Sequence, residues 1–577
     1  MVPASADEAS GFFARAEADL LAEAIESQRA DWVYSTFISP DTEELSSAAL
    51  ARLISTTVRY AREGSRLPRG SLNPTEARKA ALLPLSLPLL APSDPALAHE
   101  LTRLVASMQG SYAKGRHTPR GQGEPLDLQA LSRLLTTSRD PALLEDVWSG
   151  WHRVGRTIRP EFERYVVLAN QRARELGFAD TKTMWRSKYD MEPEEFAREV
   201  DRLWEGVRPL YESLRTYVGH RLRERYGASV VPPDRPLPAH LLGNMWAQSW
   251  EEIYPLLAPR SSPPSYDLTQ ILAGRGTTPT DMVRYAERFF VSLGLAPLPA
   301  TFWERSMLVR PRDREVVCHA SAWDIDFVDD LRIKMCIEIT ADDFRTIHHE
   351  LGHNYYQRAY GHLPYLFRDS AHDGFHEAIG DTIALSVTPG YLRTIGLLDQ
   401  LPPEDDVGFL LERALEKVAF LPFGLLIDKW RWEVFAGRIP PAEYNPTWWA
   451  LRERYQGVAP PAPRGAEEFD PGAKFHVPAN VPYIRYFLAH ILQFQFHRAL
   501  VRAAGFDGPI HRGSIYGSKE AGRRLEATLA MGASRPWPDA LEALTGERRM
   551  DAGGLVEYFA PLQRWLDEQN RARPASG

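Results

Sequence analysis

Residues 341–360 read ADDFRTIHHELGHNYYQRAY, with His349 and His353 four positions apart and Glu350 directly after the first. Asp342 and Asp343 suit a helix start, and no proline follows until Pro364, so the stretch predicts a helix. Residues i and i+4 share a helical face. His349 and His353 can therefore ligate one ion, and Glu350, one step round, can reach a water on that ion. On its own the pattern also fits a surface helix with scattered histidines.

A catalytic zinc normally takes three protein ligands and leaves a fourth position for water. Downstream, residues 374–381 read GFHEAIGD. Glu377 lies 24 residues past His353, room for a loop and an antiparallel return helix. Asp381 follows four residues later on the same face, where it can accept the second N–H of a ligating histidine. The run EAIGDTIALSV is otherwise apolar, and buried carboxylates need a partner such as a metal. His376 and His348 read as neighbours of the ligands, in the core or behind the metal.

Further motifs carry a resemblance. VCHASAWD (317–324), HHELGH (348–353), GFHEAIGD, DPGAKFHVP (470–478) and VPYIRYF (481–487) occur in the order seen in angiotensin-converting enzyme and its bacterial relatives. AHLLGNMWAQSW, LPFGLLIDKWRW, NPTWWALRERYQG, ILQFQFH and SKEAGRRL extend the similarity from about Ala6 to Asn570, weakest in the first 150 residues. The resemblance implies a mainly α, elongated gluzincin metallopeptidase fold around a deep cleft, with amino-terminal helices as a lid. It implies a peptidyl-dipeptidase that releases dipeptides from oligopeptides with a free carboxyl end.

The same resemblance assigns roles. Zinc would sit on His349, His353 and Glu377, with Glu350 as general base, Tyr486 as oxyanion donor and His476 as a further donor. From the residues alone Tyr486 reads as core. His319 and the backbone of Ala320 match groups that hold the substrate chain. Gln248, Lys474 and Tyr483 match a clamp for the terminal carboxylate. A close branch that removes a single residue carries arginine at the Gln248 position, so Gln248 argues for dipeptide release. Phe420 keeps the family's pocket wall, whereas His490 stands in place of an aromatic and shifts preference towards polar side chains. Arg485 and Tyr189 match one chloride site, with chloride an activator. Trp448 and Arg452 match another, which His152 puts in doubt by replacing an arginine.

At 577 residues with no internal repeat or long Gly/Ser linker, the chain reads as one catalytic domain, 1–577, with 571–577 as a disordered tail. Proline clusters fall between helical stretches and read as loops. Hydrophobic content of 44% and 25% charged residues suit a globular protein with a large core. A net charge of -8 argues against nucleic-acid binding. The fifteen tryptophans read as packing surface. Apolar residues at helical spacing predict helices at 7–36, 96–110, 158–176, 194–226, 280–294, 405–437 and 481–504. One short strand pair is expected, Glu315–His319 with Lys334–Thr340.

No apolar run is long enough to span a membrane; Ala81–Ala91 is broken by Pro84 and Pro88. The opening MVPASADEASGFF lacks a leader's apolar core, so the protein is cytoplasmic, or else periplasmic or secreted with its leader removed. Cys318 and Cys336 are the only cysteines. They suit two buried thiols, whereas the resemblance implies a disulfide, which favours an oxidising compartment. A monomer is expected, since nothing resembles a coiled coil. A mono-carboxypeptidase, an endo-acting oligopeptidase and a silent binding protein are the competing readings.

Overall fold

Helices expected from apolar spacing account for the main elements of the computed structural model, which describes residues 6–86, 91–259, 266–402 and 406–572. In chain order the principal ones are α1 (Ala6–Thr36), α2 (Pro40–Gly64), α3 (Pro95–Ala113), α4 (Val154–Glu175), α5 (Pro193–Tyr226) and α6 (Pro279–Leu293). A two-stranded hairpin, β1 (Ser321–Asp324) and β2 (Leu331–Lys334), precedes α7 (Ala341–Tyr360) and α8 (Asp373–Leu385). Then come α9 (Val407–Phe435), α10 (Ile484–Ala503) and α11 (Ala560–Ala572). Each predicted helix is present, with ends displaced by a few residues. Residue 405 of one window and residues 573–577 of the expected tail lie outside the described residues.

Local chemistry sets the boundaries. Ser39 caps α2 by accepting from Thr42 N–H, with Pro40 in the first turn, where its missing N–H costs nothing. This turn folds α2 back along α1, so Tyr60 donates to Asp19 and Ser46 to Asp31. α9 and α10 are apolar nearly all round and are buried accordingly. Two polar side chains of α10 find partners: Gln495 donates to Glu547 at 2.7 Å, and His497 Nε2 lies 2.9 Å from the Ile510 carbonyl. One continuous core runs from Phe12 to Leu566, and all fifteen tryptophans pack in it or in a satellite cluster around Trp32.

The strand pair departs from expectation. The antiparallel ladder pairs Ser321 with Lys334 and Asp324 with Leu331, in the stretch between the two expected segments, with Lys334 alone belonging to one of them. Residues of 315–319 bind α1 and the loop after it instead: Val317 N–H donates to Ser35 and Ile38 N–H to Glu315. Their backbone groups are thus engaged elsewhere. Cys318 and Cys336 form a disulfide at a Cα–Cα distance of 5.1 Å, closing the open end of the hairpin. Among the described residues, no helix is long and apolar enough to cross a membrane.

Candidate metal centre and active site

α7 and α8 run antiparallel and touch at two glycines. A Cβ on Gly352 would lie 2.9 Å from Gly380 Cα, and a Cβ on Gly380 would lie 2.8 Å from His349 Nδ1. Glycine at both positions lets the backbones close up, and this approach brings the predicted ligands together. His349 Nε2 lies 3.0 Å from His353 Nε2 and 3.6 Å from Glu377 Oε2. All three donor atoms lie within 4.8 Å of one another. Ligands bonded to zinc at about 2.0–2.1 Å in a tetrahedron stand roughly 3.3 Å apart, so the set fits that ion.

The surroundings also fit a cation. Asp381 Oδ1 lies 3.1 Å from His349 Nδ1, and its other oxygen pairs with Lys417 at 3.2 Å. Each of the two imidazoles thus turns Nε2 towards the shared cluster of donor atoms and has Nδ1 held from behind. For His353 the partner is His376, 2.9 Å away and itself 3.3 Å from the Tyr360 hydroxyl. Burial opposes charge on His349, yet hydrogen bonds to Asp381 and Glu377 push it up to about 10. Glu377 keeps 39% of its side chain exposed to the cleft, and burial would raise it, but the histidines hold it down at about 2. Asp381 is raised by burial and pulled far lower by Lys417. The net field attracts positive charge.

Glu350 is buried, and burial raises its pKa, as a general base requires. With His349, His319 and Ala320 it lines a cavity of about 580 Å³. Glu377 and His376 line another of about 570 Å³ with Val481 and Arg485. His349 thus borders one cavity and Glu377 the other. Lys334 ties the His319 segment down by donating to the Val317 and His319 carbonyls.

A second cluster gathers the residues matched to the carboxylate clamp. Tyr483 O–H donates to Gln248 Oε1 at 3.3 Å. Lys474 Nζ lies 4.1 Å from the Trp246 ring centroid and 5.6 Å from that of Tyr483. Lys474 is buried rather than solvated, and burial lowers it to about 7. The rings of His476 and Tyr486 lie 4.7 and 4.9 Å from Tyr483, and Glu377 is among the charges that raise Tyr486 after burial. Phe420 stacks on His490 at 4.4 Å. His490, lowered to about 4 by burial, is neutral and donates from Nδ1 to the Tyr486 carbonyl, so it packs as a flat ring.

At one of the two expected chloride positions the cation and the phenol hold a carboxylate of the chain. Tyr189 and Arg485 both bind Asp373, at 2.9 and 3.2 Å. At the other position Arg452 is buried against Phe423, Trp448 and Trp449 and donates to the Trp246 carbonyl. His152 stacks on Trp148 and is lowered to about 4 by burial, so it supplies no positive charge. His348 is core: its Nδ1 meets the Phe344 carbonyl and its Nε2 the Tyr391 hydroxyl.

Sequence reasoning missed several residues that hold this site. Asp428 accepts from the Tyr483 and Ile484 N–H groups at 2.7 Å each, capping α10 from within α9. Arg431 pairs with Asp428 and donates to the His476 and Val481 carbonyls. Two opposite charges three apart inside the apolar run LLIDKWRW were the available signal, because such a pair must be partnered when buried.

The family model described as Peptidase M2, angiotensin-converting enzyme, matches residues 3–576. Angiotensin-converting enzyme of Bos taurus is 49% identical over 446 residues, 76% of this chain and 34% of its own length. The Mus musculus enzyme is 42% identical over 550 residues, 94% of this chain and 42% of its own. The enzyme of the leech Theromyzon tessulatum is 44% identical over 477 residues, covering 82% of this chain and 77% of its own. The chain thus spans roughly a third to two-fifths of these mammalian relatives.

Proposed function

The chain belongs to the angiotensin-converting enzyme family, and from that membership we propose that it is a zinc peptidyl-dipeptidase releasing carboxyl-terminal dipeptides from oligopeptides. The observation that carries the reading is the convergence of His349, His353 and Glu377 beside the buried Glu350. Zinc bound there supplies a Lewis acid that polarises the scissile carbonyl and acidifies a water.

The remaining steps belong to the chain's own residues. Glu350 accepts a proton as water adds to the carbonyl carbon and passes it to the leaving amine nitrogen when the C–N bond breaks. Its raised pKa suits both directions of transfer. Tyr486 donates to the oxyanion, and its high pKa keeps it protonated for that purpose. His476, held neutral by burial, which lowers it to about 3, is a donor beside it. His319 and Ala320 hold the substrate backbone along the Glu350 side. Lys474 provides the charge that binds the terminal carboxylate, with Gln248 and Tyr483 orienting it. Phe420 and His490 form the aromatic wall of the terminal pocket.

The disulfide supports a periplasmic or secreted location. The test of activity uses a blocked hexapeptide and its carboxyl-amidated twin, with products weighed by mass spectrometry. Loss of two residues from the free acid and little cleavage of the amide is expected. Loss of one residue would assign a mono-carboxypeptidase, equal cleavage of both an endo-acting oligopeptidase, and no cleavage a binding protein.

A further inference from the structure

Asp373 opens α8 one helical turn before Glu377 and joins two groups on other elements. Its Oδ1 accepts from the Tyr189 hydroxyl at 2.9 Å, and its Oδ2 pairs with Arg485 at 3.2 Å. Lys188 is a further cation acting on it. Arg485 is the second residue of α10, between Tyr483 and Tyr486. Tyr189 is held in turn by Phe196, stacked at 3.9 Å, and by Trp537, whose indole donates to its carbonyl.

A guanidinium, a phenol and an ammonium around one point make a binding site for a small anion. Here that point is filled by a carboxylate attached to the chain. The attachment matters because of where it leads: Asp373 fixes the start of the helix that carries Glu377 to the start of the helix that carries Tyr486. A negative charge in the first turn of α8 is also favoured by the helix dipole.

We propose that Asp373 is a built-in anion: a positioning residue that locks α8 to α10 through Arg485 and Tyr189, so that the enzyme works without a diffusible halide. The inference rests on the peptidase reading for its kinetic test. Removing the carboxylate leaves the cationic cluster with a hole that a free anion can refill, whereas a purely structural role would leave a defect no salt repairs.

The zinc-loaded wild type, Asp373→Ala and Asp373→Asn are assayed on one peptide with 0 to 0.5 M sodium chloride or sodium formate, ionic strength being held by sulfate. Wild-type kcat/KM is expected to change less than about twofold. Asp373→Ala is expected to fall by about tenfold or more and to regain most of this with chloride or formate, as a neutralised anion site predicts. Asp373→Asn, which keeps the volume, is expected to lose activity with weaker rescue. A wild type that needs chloride, an Asp373→Ala that keeps full activity without it, or folded, zinc-loaded variants that no anion restores would each overturn the proposal. Thermal melts give an independent readout: chloride should raise the Tm of Asp373→Ala by about 2 °C or more and leave the wild type unmoved. Should no peptide be cleaved under any condition, the peptidase reading fails and the melts alone decide this one; equal shifts in both proteins would refute it.

Discussion

Asp381 joins His349 to Lys417, with one carboxylate oxygen 3.1 Å from His349 Nδ1 and the other 3.2 Å from Lys417 Nζ. The imidazole is thereby oriented with Nε2 turned towards His353 Nε2 and Glu377. Asp381→Ala should weaken zinc binding by about 10–100-fold, the usual cost of losing such a partner. Zinc titration against a competing chelator measures it; unchanged affinity would show that ring packing alone orients His349.

Glu350 faces the cavity and ligates nothing in this arrangement. Glu350→Gln should keep zinc at full stoichiometry and lower kcat by about 10²–10⁴-fold. Metal analysis together with steady-state kinetics separates this from loss of the site.

Lys474 gives a pH signature. Burial places it at about 7, against the ordinary 10.5, so the free enzyme carries the clamp's charge below pH 7 and loses it above. For free-acid peptides kcat/KM should therefore fall as pH rises through about 7, since this quantity reports the free enzyme. Lys474→Met should lose that limb and raise KM by about 100-fold, within the cost of cutting one partner from a buried charge pair. Folding carries the opposite sign: the unfolded lysine holds its proton to higher pH, so this group's effect on stability improves from about pH 7 towards 10.5. A kcat/KM limb that persists in Lys474→Met would assign it elsewhere.

Gly380 tests the packing that makes the centre. A methyl group there meets the His349 ring at 2.8–2.9 Å, and α7 backbone stands close behind at Gly352. Gly380→Ala should destabilise the protein by about 1–3 kcal/mol through overpacking and weaken zinc binding with it. Urea unfolding and zinc titration read the two effects together.

Asp428 and Arg431 are buried with essentially no exposure of either side chain. Asp428→Ala would strand the Arg431 charge and release the Tyr483 and Ile484 N–H groups, costing about 3–5 kcal/mol. Denaturant unfolding of the zinc-free chain checks it without reference to activity.

Much of this was legible in the linear chain because the chemistry is local. The i, i+4 spacing of His349 and His353, and of Glu377 and Asp381, defines two helical faces wherever the helices lie. Apolar spacing located the helices for the same reason. What the spacing leaves open is which long-range partner each backbone and each charge finds. Residues 315–319 looked like a strand and pair with the end of α1 and the loop after it. Lys474 is matched to the clamp by resemblance alone, and nothing in its spacing shows that it lies buried on Trp246. Tyr189 and Arg485 looked like a chloride site and hold Asp373, whose partners are 184 residues before it and 112 after it.

On the proposed reading, one zinc ion on His349, His353 and Glu377 performs the hydrolysis. The most direct test is to strip the protein with chelator and titrate zinc back while following peptide cleavage. Activity should return linearly and break at one equivalent per chain, and His353→Ala should recover none. Full turnover by the stripped protein, or recovery in His353→Ala at one equivalent, would contradict it.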